Sequence, residues 1–346
     1  MRAWFTVQGR SRGLLVEADG NGNLWATRGT GPYLAIGSHL DSVPEGGAFD
    51  GPLGIATAFA ALDVANSDRD IAVIAFAEEE GARFGIACLG SKLATGATEP
   101  EKVRALRDRE GATFEIAMAE AGLDTGNIGA EPERLQLIDQ FIEVHIEQGR
   151  GLVDLDSPLG LAGSIWPHGR WRLELSGRAD HAGTTRMEDR SDPMVAFATN
   201  VISVVDQARS LGGRATFGRL EVEPNATNAI PSRVIAWLDA RASNEEDLDA
   251  IVGVVGATVE MTNESLTGAI SFNPRLRERI ASILDDPPTL DTGAGHDAGI
   301  LASHGVPAAM IFVRNPTGIS HSPAEHASAE DCEAGVLALA RLIDKL

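Results

Sequence analysis

The 346-residue chain has little cysteine. Its two, Cys88 and Cys332, lie far apart and in no metal-ligand spacing. They build neither a disulfide framework nor a thiolate metal site, and such sparing use fits a reducing compartment. Long apolar runs are missing too. Nothing approaches the roughly 20 residues of a membrane span. Met1-Arg2-Ala3-Trp4-Phe5 carries no apolar stretch long enough for a secretory signal. The expectation is a cytoplasmic protein. Positive charge is also scarce. Twenty-nine Lys and Arg against 50 Asp and Glu leave a formal charge of −21. So negative a surface repels phosphate backbones and anionic lipid, which argues against nucleic acid and membrane as partners. It says little about a small substrate, because local charge decides that. Internal repeats and low-complexity segments are absent.

Hydrophobic residues make up 43% of the chain, ample for real cores. At roughly 150 residues per domain, the length predicts about two domains. Asp19-Gly20-Asn21-Gly22-Asn23 is a turn between short strands near 14–17 and 24–26. An apolar strand over 33–36, a helix over 52–65 and a strand over 71–76 follow, a βαβ rhythm that predicts a parallel or mixed sheet. Helices are expected over 101–109 and 113–121, and an alternating strand over 141–146. Beyond about 159–169 the texture changes. Strands near 171–175, 216–222, 234–240 and 258–261 alternate with helices opening at Asp192 and Asn244, the split βαββαβ order of a ferredoxin-like domain. From Asn273 helix and strand alternate again, with a buried strand over 310–313 and a closing helix over 328–346. The predicted class is α/β. A mixed, mostly parallel sheet flanked by helices occupies 1–161 and 272–346, and the ferredoxin-like domain is inserted as 162–271.

The chemistry gathers around Gly37-Ser38-His39-Leu40-Asp41-Ser42-Val43-Pro44-Glu45-Gly46-Gly47-Ala48-Phe49-Asp50-Gly51. It places His39 after a buried strand and Asp50 before a helix, and α/β sites gather outside the carboxyl ends of strands. The strand over 71–76 runs into Glu78-Glu79-Glu80. An acidic run is usually a solvated turn. At the mouth of a buried strand its charges repel unless a cation sits among them. An isolated histidine is more often structural than a ligand. His39, His145 and His321, however, each stand beside a strand end or a glycine-rich turn. With Asp50 and Glu80 they form a mixed N/O set that suits Zn²⁺, Mn²⁺ or Co²⁺ and not Ca²⁺. Five ligands exceed the need of one tetrahedral ion and fit two ions about 3.5–4 Å apart, with Asp50 the natural bridge. One glutamate of the run then binds metal, and a neighbour held off the ion takes a proton from water.

Seven collinear stretches carry a resemblance. They are residues 37–51, Glu79-Glu80-Gly81-Ala82-Arg83-Phe84, His145-Ile146-Glu147-Gln148-Gly149, His181-Ala182-Gly183-Thr184-Thr185, Pro224 to Pro231, Gly293 to Ala298 and Gly318 to Pro323. Together they resemble the hydantoinase/carbamoylase family of the M20 metallopeptidase superfamily. The resemblance implies His39, Asp50, Glu80, His145 and His321 as metal ligands with Asp50 bridging, and Glu79 as general base. It implies that His181 reaches across a homodimer to polarise the scissile carbonyl in the partner's site. It gives Asn228 and Arg241 to the substrate carboxylate, and Gln148, Gly295 and His296 to the substrate side. It further implies a dimerising inserted domain and a cis peptide from Asp50 to Gly51. Arg186, after His-Ala-Gly-Thr-Thr, stands where the family usually has proline.

The reaction implied is hydrolysis of the ureido C–N bond of an N-carbamoyl-L-amino acid or related ureido acid, with two Zn or Mn ions per subunit and Co as a further option. Allantoate amidohydrolase and β-ureidopropionase are alternatives, followed by an aminoacylase or dipeptidase of the same superfamily. A non-catalytic binding protein fits least, since the full ligand set and the base are present. His304 and His326 are expected at the surface, Cys88 and Cys332 as small buried apolar residues, and Trp4, Trp25 and Trp237 in packing. Trp166 belongs to hinge packing rather than to a substrate stack.

Overall fold

The computed structural model describes residues 1–346 as two compact units, one of Met1–Ser164 with Ser271–Leu346 and one of Ile165–Ile270. The first is built on a nine-stranded mixed sheet. Its centre is four parallel strands in the order Ile71–Phe76, Tyr33–His39, Ile138–Ile146 and Ala308–Val313. These strands are almost wholly buried; Ile71–Phe76 and Ala308–Val313 are apolar throughout, as strands covered on both faces tend to be, whereas Ile138–Ile146 buries Glu143 and His145 among apolar residues. The antiparallel pair Leu15–Ala18 and Leu24–Arg28 extends one side of the sheet, and Leu159–Ile165 pairs antiparallel on the other.

Helix Pro52–Val64 begins with proline, whose missing N–H costs nothing in the first turn. It is apolar all round, because one side meets the sheet and the other the closing helix Ala329–Lys345. Ser328 caps that closing helix by accepting the N–H of Asp331. Leu53, Ile55 and Phe59 from the first helix join Leu339, Leu342 and Ile343 from the second in the main core.

Several expectations shift. The N-terminal residues, for which no element was expected, form a helix over Arg2–Ser11 that buries Phe5. The expected helix over 101–109 stops at Arg104, and a bridge pairs Arg107 with Thr113. The two cis peptides are Gly31–Pro32 and Glu223–Pro224. The bond from Asp50 to Gly51 is therefore trans, against expectation, and Gly51 makes the turn itself at φ 83°.

The second unit is a four-stranded antiparallel sheet in the order Glu260–Thr267, His168–Ser176, Arg233–Arg241, Arg214–Glu223. Helices Pro193–Ser210 and Glu245–Gly253 supply the α elements, giving βαββαβ with the ferredoxin-like strand order. Leu173, Leu175, Val234 and Leu238 pack with Val204, Leu248 and Ile251 to form its core. Asp192 and Asn244 cap the two helices, as their positions predict. The opposite face of the sheet carries charge, and Trp237 lies there with Arg219 stacked 4.0 Å from its ring. Trp237 thus packs against arginine side chains on that face, outside the apolar core.

Candidate active site

The four parallel strands of the first unit point their carboxyl ends the same way, and the loops leaving three of them bear the predicted ligands. His39 ends one strand and His145 lies near the end of its neighbour. Glu78-Glu79-Glu80 follows the strand that ends at Phe76. Asp50 stands just before helix Pro52–Val64. Gly51 is required behind it, since a Cβ there would lie 2.4 Å from the His39 ring, besides the strain of its φ.

Asp50 divides its two oxygens. Oδ1 lies 3.4 Å from His39 Nε2 and 3.2 Å from His145 Nε2. Oδ2 lies 3.4 Å from His321 Nε2, which is itself 3.3 Å from Glu80 Oε2. Gln148 Nε2 and Ser320 Oγ each donate to Oδ2 at 2.9 Å. Ligand atoms therefore cluster as His39–Asp50–His145 and as Asp50–Glu80–His321, each within 4.8 Å, with Asp50 common to both. The ring tautomers follow from their outer partners. His39 Nδ1 is 3.0 Å from the carbonyl of Asp41, and His145 Nδ1 is 2.8 Å from that of Ile146. A carbonyl only accepts, so both Nδ1 atoms carry hydrogen and both Nε2 atoms face Asp50.

The three glutamates divide their work. Glu78 Oε1 accepts the backbone N–H of Arg83 and Phe84 and so ties down its own loop. Glu80 faces His321, and its N–H is held by Asp41 Oδ2 at 3.1 Å. Glu79 is buried between them, with Oε2 3.7 Å from His39 Nε2 and Oε1 3.5 Å from the Cys88 thiol. Cys88 is buried as expected, but against this carboxylate.

Burial pushes the Glu79 carboxyl up to about 7, against the pull of His39 and with the push of Glu143. Burial acts downward on His145, yet its hydrogen bond to Asp50 and that carboxylate's charge outweigh it and raise the imidazole to about 9. His39 is likewise raised well above its ordinary value, with burial overcome by Glu79, Asp41 and Asp50. Protons therefore sit where the lone pairs converge. The donor set fits divalent cations, because a cation at those lone pairs replaces the protons and neutralises three close carboxylates. A third triad, Glu143–His145–His296, also clusters. It competes with the first, since His145 has one nitrogen left to offer.

A stability prediction follows from these directions. Raised folded-state values mean that the native state binds protons the unfolded chain has released. The contribution of His145 is complete below about 6.5 and lost as pH rises through about 9. Glu79 acts in the same sense through about 7. The metal-free protein should lose thermal stability from pH 6.5 to 9, and the increment from added Mn²⁺ or Zn²⁺ should grow over that range. Melting curves at several pH values check this. A flat metal-free profile with a constant increment contradicts it.

The model of the peptidase family M20/M25/M40 matches residues 35–345. The chain belongs to this family. Among curated relatives, an N-carbamoyl-L-amino acid amidohydrolase of Geobacillus stearothermophilus is 36% identical over 94% of this chain and 85% of that protein. An allantoate amidohydrolase of Escherichia coli K12 is 32% identical over 96% and 87%. Among solved structures, a hydantoinase/carbamoylase family amidase from Burkholderia vietnamiensis superposes with a TM-score of 0.85 at 26% identity, covering 99% of this chain and 88% of that one.

This M20 chain places its remaining predicted residues unevenly. Gln148 donates to Asp50 at 2.9 Å and so adjoins the candidate ligand cluster. His296 is buried with its ring 4.6 Å from that of His145, whereas Gly295 is exposed. His181, Asn228 and Arg241 lie in the second unit, and its register separates them. Arg241 and Arg233 end one strand, eight residues apart, which is roughly 26 Å at the usual rise. Asn228 and His181 lie beyond the Arg233 end, where Ala229 pairs with His181. One copy therefore places Asn228 and Arg241 toward opposite ends of this strand. Arg241 is held by Asp239, with Nε at 2.8 Å from Oδ1. Trp166 has Arg214 5.7 Å from its ring, consistent with packing.

Proposed function

We propose that this chain is a binuclear metal-dependent amidohydrolase that cleaves the ureido C–N bond of an N-carbamoyl-L-amino acid or a related ureido acid. The observation that carries the proposal is Asp50, whose two oxygens face two separate imidazole-bearing ligand groups beside the buried Glu79. The names of the curated relatives support the substrate class and include allantoate as an alternative. His39, His145 and Asp50 would hold one ion, and Asp50, Glu80 and His321 the other, with Zn or Mn the metal and Co a further option.

Bound divalent ions supply Lewis-acid polarisation of a carbonyl and acidify water at the site. Glu79, whose carboxyl burial raises in the metal-free chain, takes a proton from the attacking water. Its oxygen adds to the ureido carbon, the C–N bond breaks, and Glu79 returns the proton to the leaving nitrogen. A carbamoyl substrate yields amino acid, CO₂ and ammonia. His181 supplies a donor to the carbonyl oxygen as negative charge develops there. Its Nδ1 accepts the N–H of Gly183 at 3.0 Å and of Thr184 at 3.2 Å, so the ring hydrogen sits on Nε2. Arg241 offers a planar fork to the substrate carboxylate, the geometry it already makes with Asp239.

The strand between them keeps His181 and Arg241 apart within one copy, which supports their serving one small substrate from different copies. The working unit we propose is therefore a cytoplasmic homodimer in which the inserted unit makes the contact and His181 acts in the partner's site. Ammonia release tests the reaction. The protein, loaded with Zn²⁺, Mn²⁺ or Co²⁺, is offered N-carbamoyl-L-amino acids, allantoate and ureidopropionate. Metal-dependent ammonia from at least one is expected; ammonia from none, with the metal demonstrably bound, contradicts the proposal.

A further inference from the structure

Glu325 carries no assigned role, yet its carboxylate touches the backbone that presents the bridging ligand. Oε2 accepts the N–H of Asp50 and of Phe49, each at 2.9 Å. The residue is 5% exposed, and its other oxygen, Oε1, is buried without a hydrogen-bond partner. Gly47 leaves room for it, since a Cβ at that position would lie 2.1 Å from Oε2. Glu325 closes the turn that begins just after His321, donating its own N–H to Ser322 O at 3.0 Å. Ser320, before His321, donates its hydroxyl to Asp50 Oδ2. The segment that carries His321 thus grips Asp50 twice, by its side chain through Ser320 and by its peptide through Glu325.

We propose that Glu325 is a positioning residue that locks Asp50 to the His321 loop, so that the Asp50–Glu80–His321 half of the ligand set forms only when this clasp is closed. The physical reason lies in what each ligand is built on. His39 and His145 stand on central strands, whose ladders fix them. His321 stands on a loop, at a left-handed φ of 55°, and is exposed. A loop ligand needs an outside restraint, and a buried carboxylate receiving two N–H bonds is a strong one. Both bonds end on the peptide of Asp50 and its predecessor, so they hold that peptide against the segment that carries His321, whereas the Asp50 side with His39 and His145 is also held by those strand residues.

The inference rests on the two-ion reading, and binding of Mn²⁺ or Zn²⁺ to metal-free protein tests the two separately. Wild-type chain should take up two ions; fewer than two overturns that reading whatever Glu325 does. In Glu325→Ala the first ion should bind as in wild type. The second should weaken by about 10–100-fold, the usual loss when a group that orients a metal ligand is removed. Glu325→Gln keeps an oxygen able to accept both N–H groups and should restore the second ion. Gly47→Ala, which drives a methyl against Oε2, should reproduce the alanine pattern with Glu325 intact. A folded Glu325→Ala that binds both ions like wild type, or weakens both equally, overturns the proposal. If Glu325→Ala does not fold, the contrast between Gly47→Ala and Glu325→Gln decides in the same way, and its absence overturns the proposal.

Discussion

Replacing Glu79 with glutamine is expected to lower kcat by about 10²–10⁴, the usual worth of a general base, while metal content stays near normal. Glu79 stands off the two ligand groups, closest to His39 at 3.7 Å, and burial keeps its carboxyl near neutrality in pH. A glutamine of the same shape removes proton acceptance and leaves the ligands in place. Glu80→Gln should do the reverse and reduce metal occupancy, because Glu80 Oε2 faces His321. Assays of ammonia release beside metal analysis separate the two variants. Full activity in Glu79→Gln contradicts the base assignment. Exchanged phenotypes would mean that the two neighbouring carboxylates have each other's role.

The second large effect is complementation. His181→Ala and Glu79→Gln subunits are each expected to be nearly inactive alone. Mixed and allowed to exchange, they should form heterodimers with one intact site, built from Glu79 of one copy and His181 of the other. Half the dimers are then mixed and each has one of two sites. Activity should rise to about a quarter of wild type, as two-fold symmetry requires. The structural motive is the strand between Arg241 and Arg233, which keeps the Arg241 and His181 ends of the unit apart. Demonstrated exchange without recovery would place His181 in its own chain or outside the reaction.

The central sheet was legible because Ile71–Phe76 and the first part of Tyr33–His39, residues 33–36, are apolar runs, and burial on both faces produces that pattern. His39, Asp50 and Glu80 could be found because glycine-rich turns and acidic residues follow those runs directly. Helix Arg2–Ser11 was harder to see. Its interior Gly9 weakens the helical signal, and the glycine is kept because Val16 and Ala26 pack so closely against it. Glu325 was invisible for another reason. A single glutamate after Ser-Pro-Ala reads like any surface charge, and only its approach to Asp50 from 275 residues away reveals its place. The separation of Asn228 from Arg241 depends on strand register, which no motif records.

Anomalous scattering from crystals grown with Zn²⁺ or Mn²⁺ tests the ligand assignment most directly. Two peaks about 3.5–4 Å apart are expected, the usual spacing of a two-metal site. One should lie among His39, His145 and Asp50, the other among Asp50, Glu80 and His321. A single peak, or one enclosed by Glu143, His145 and His296, would contradict the account.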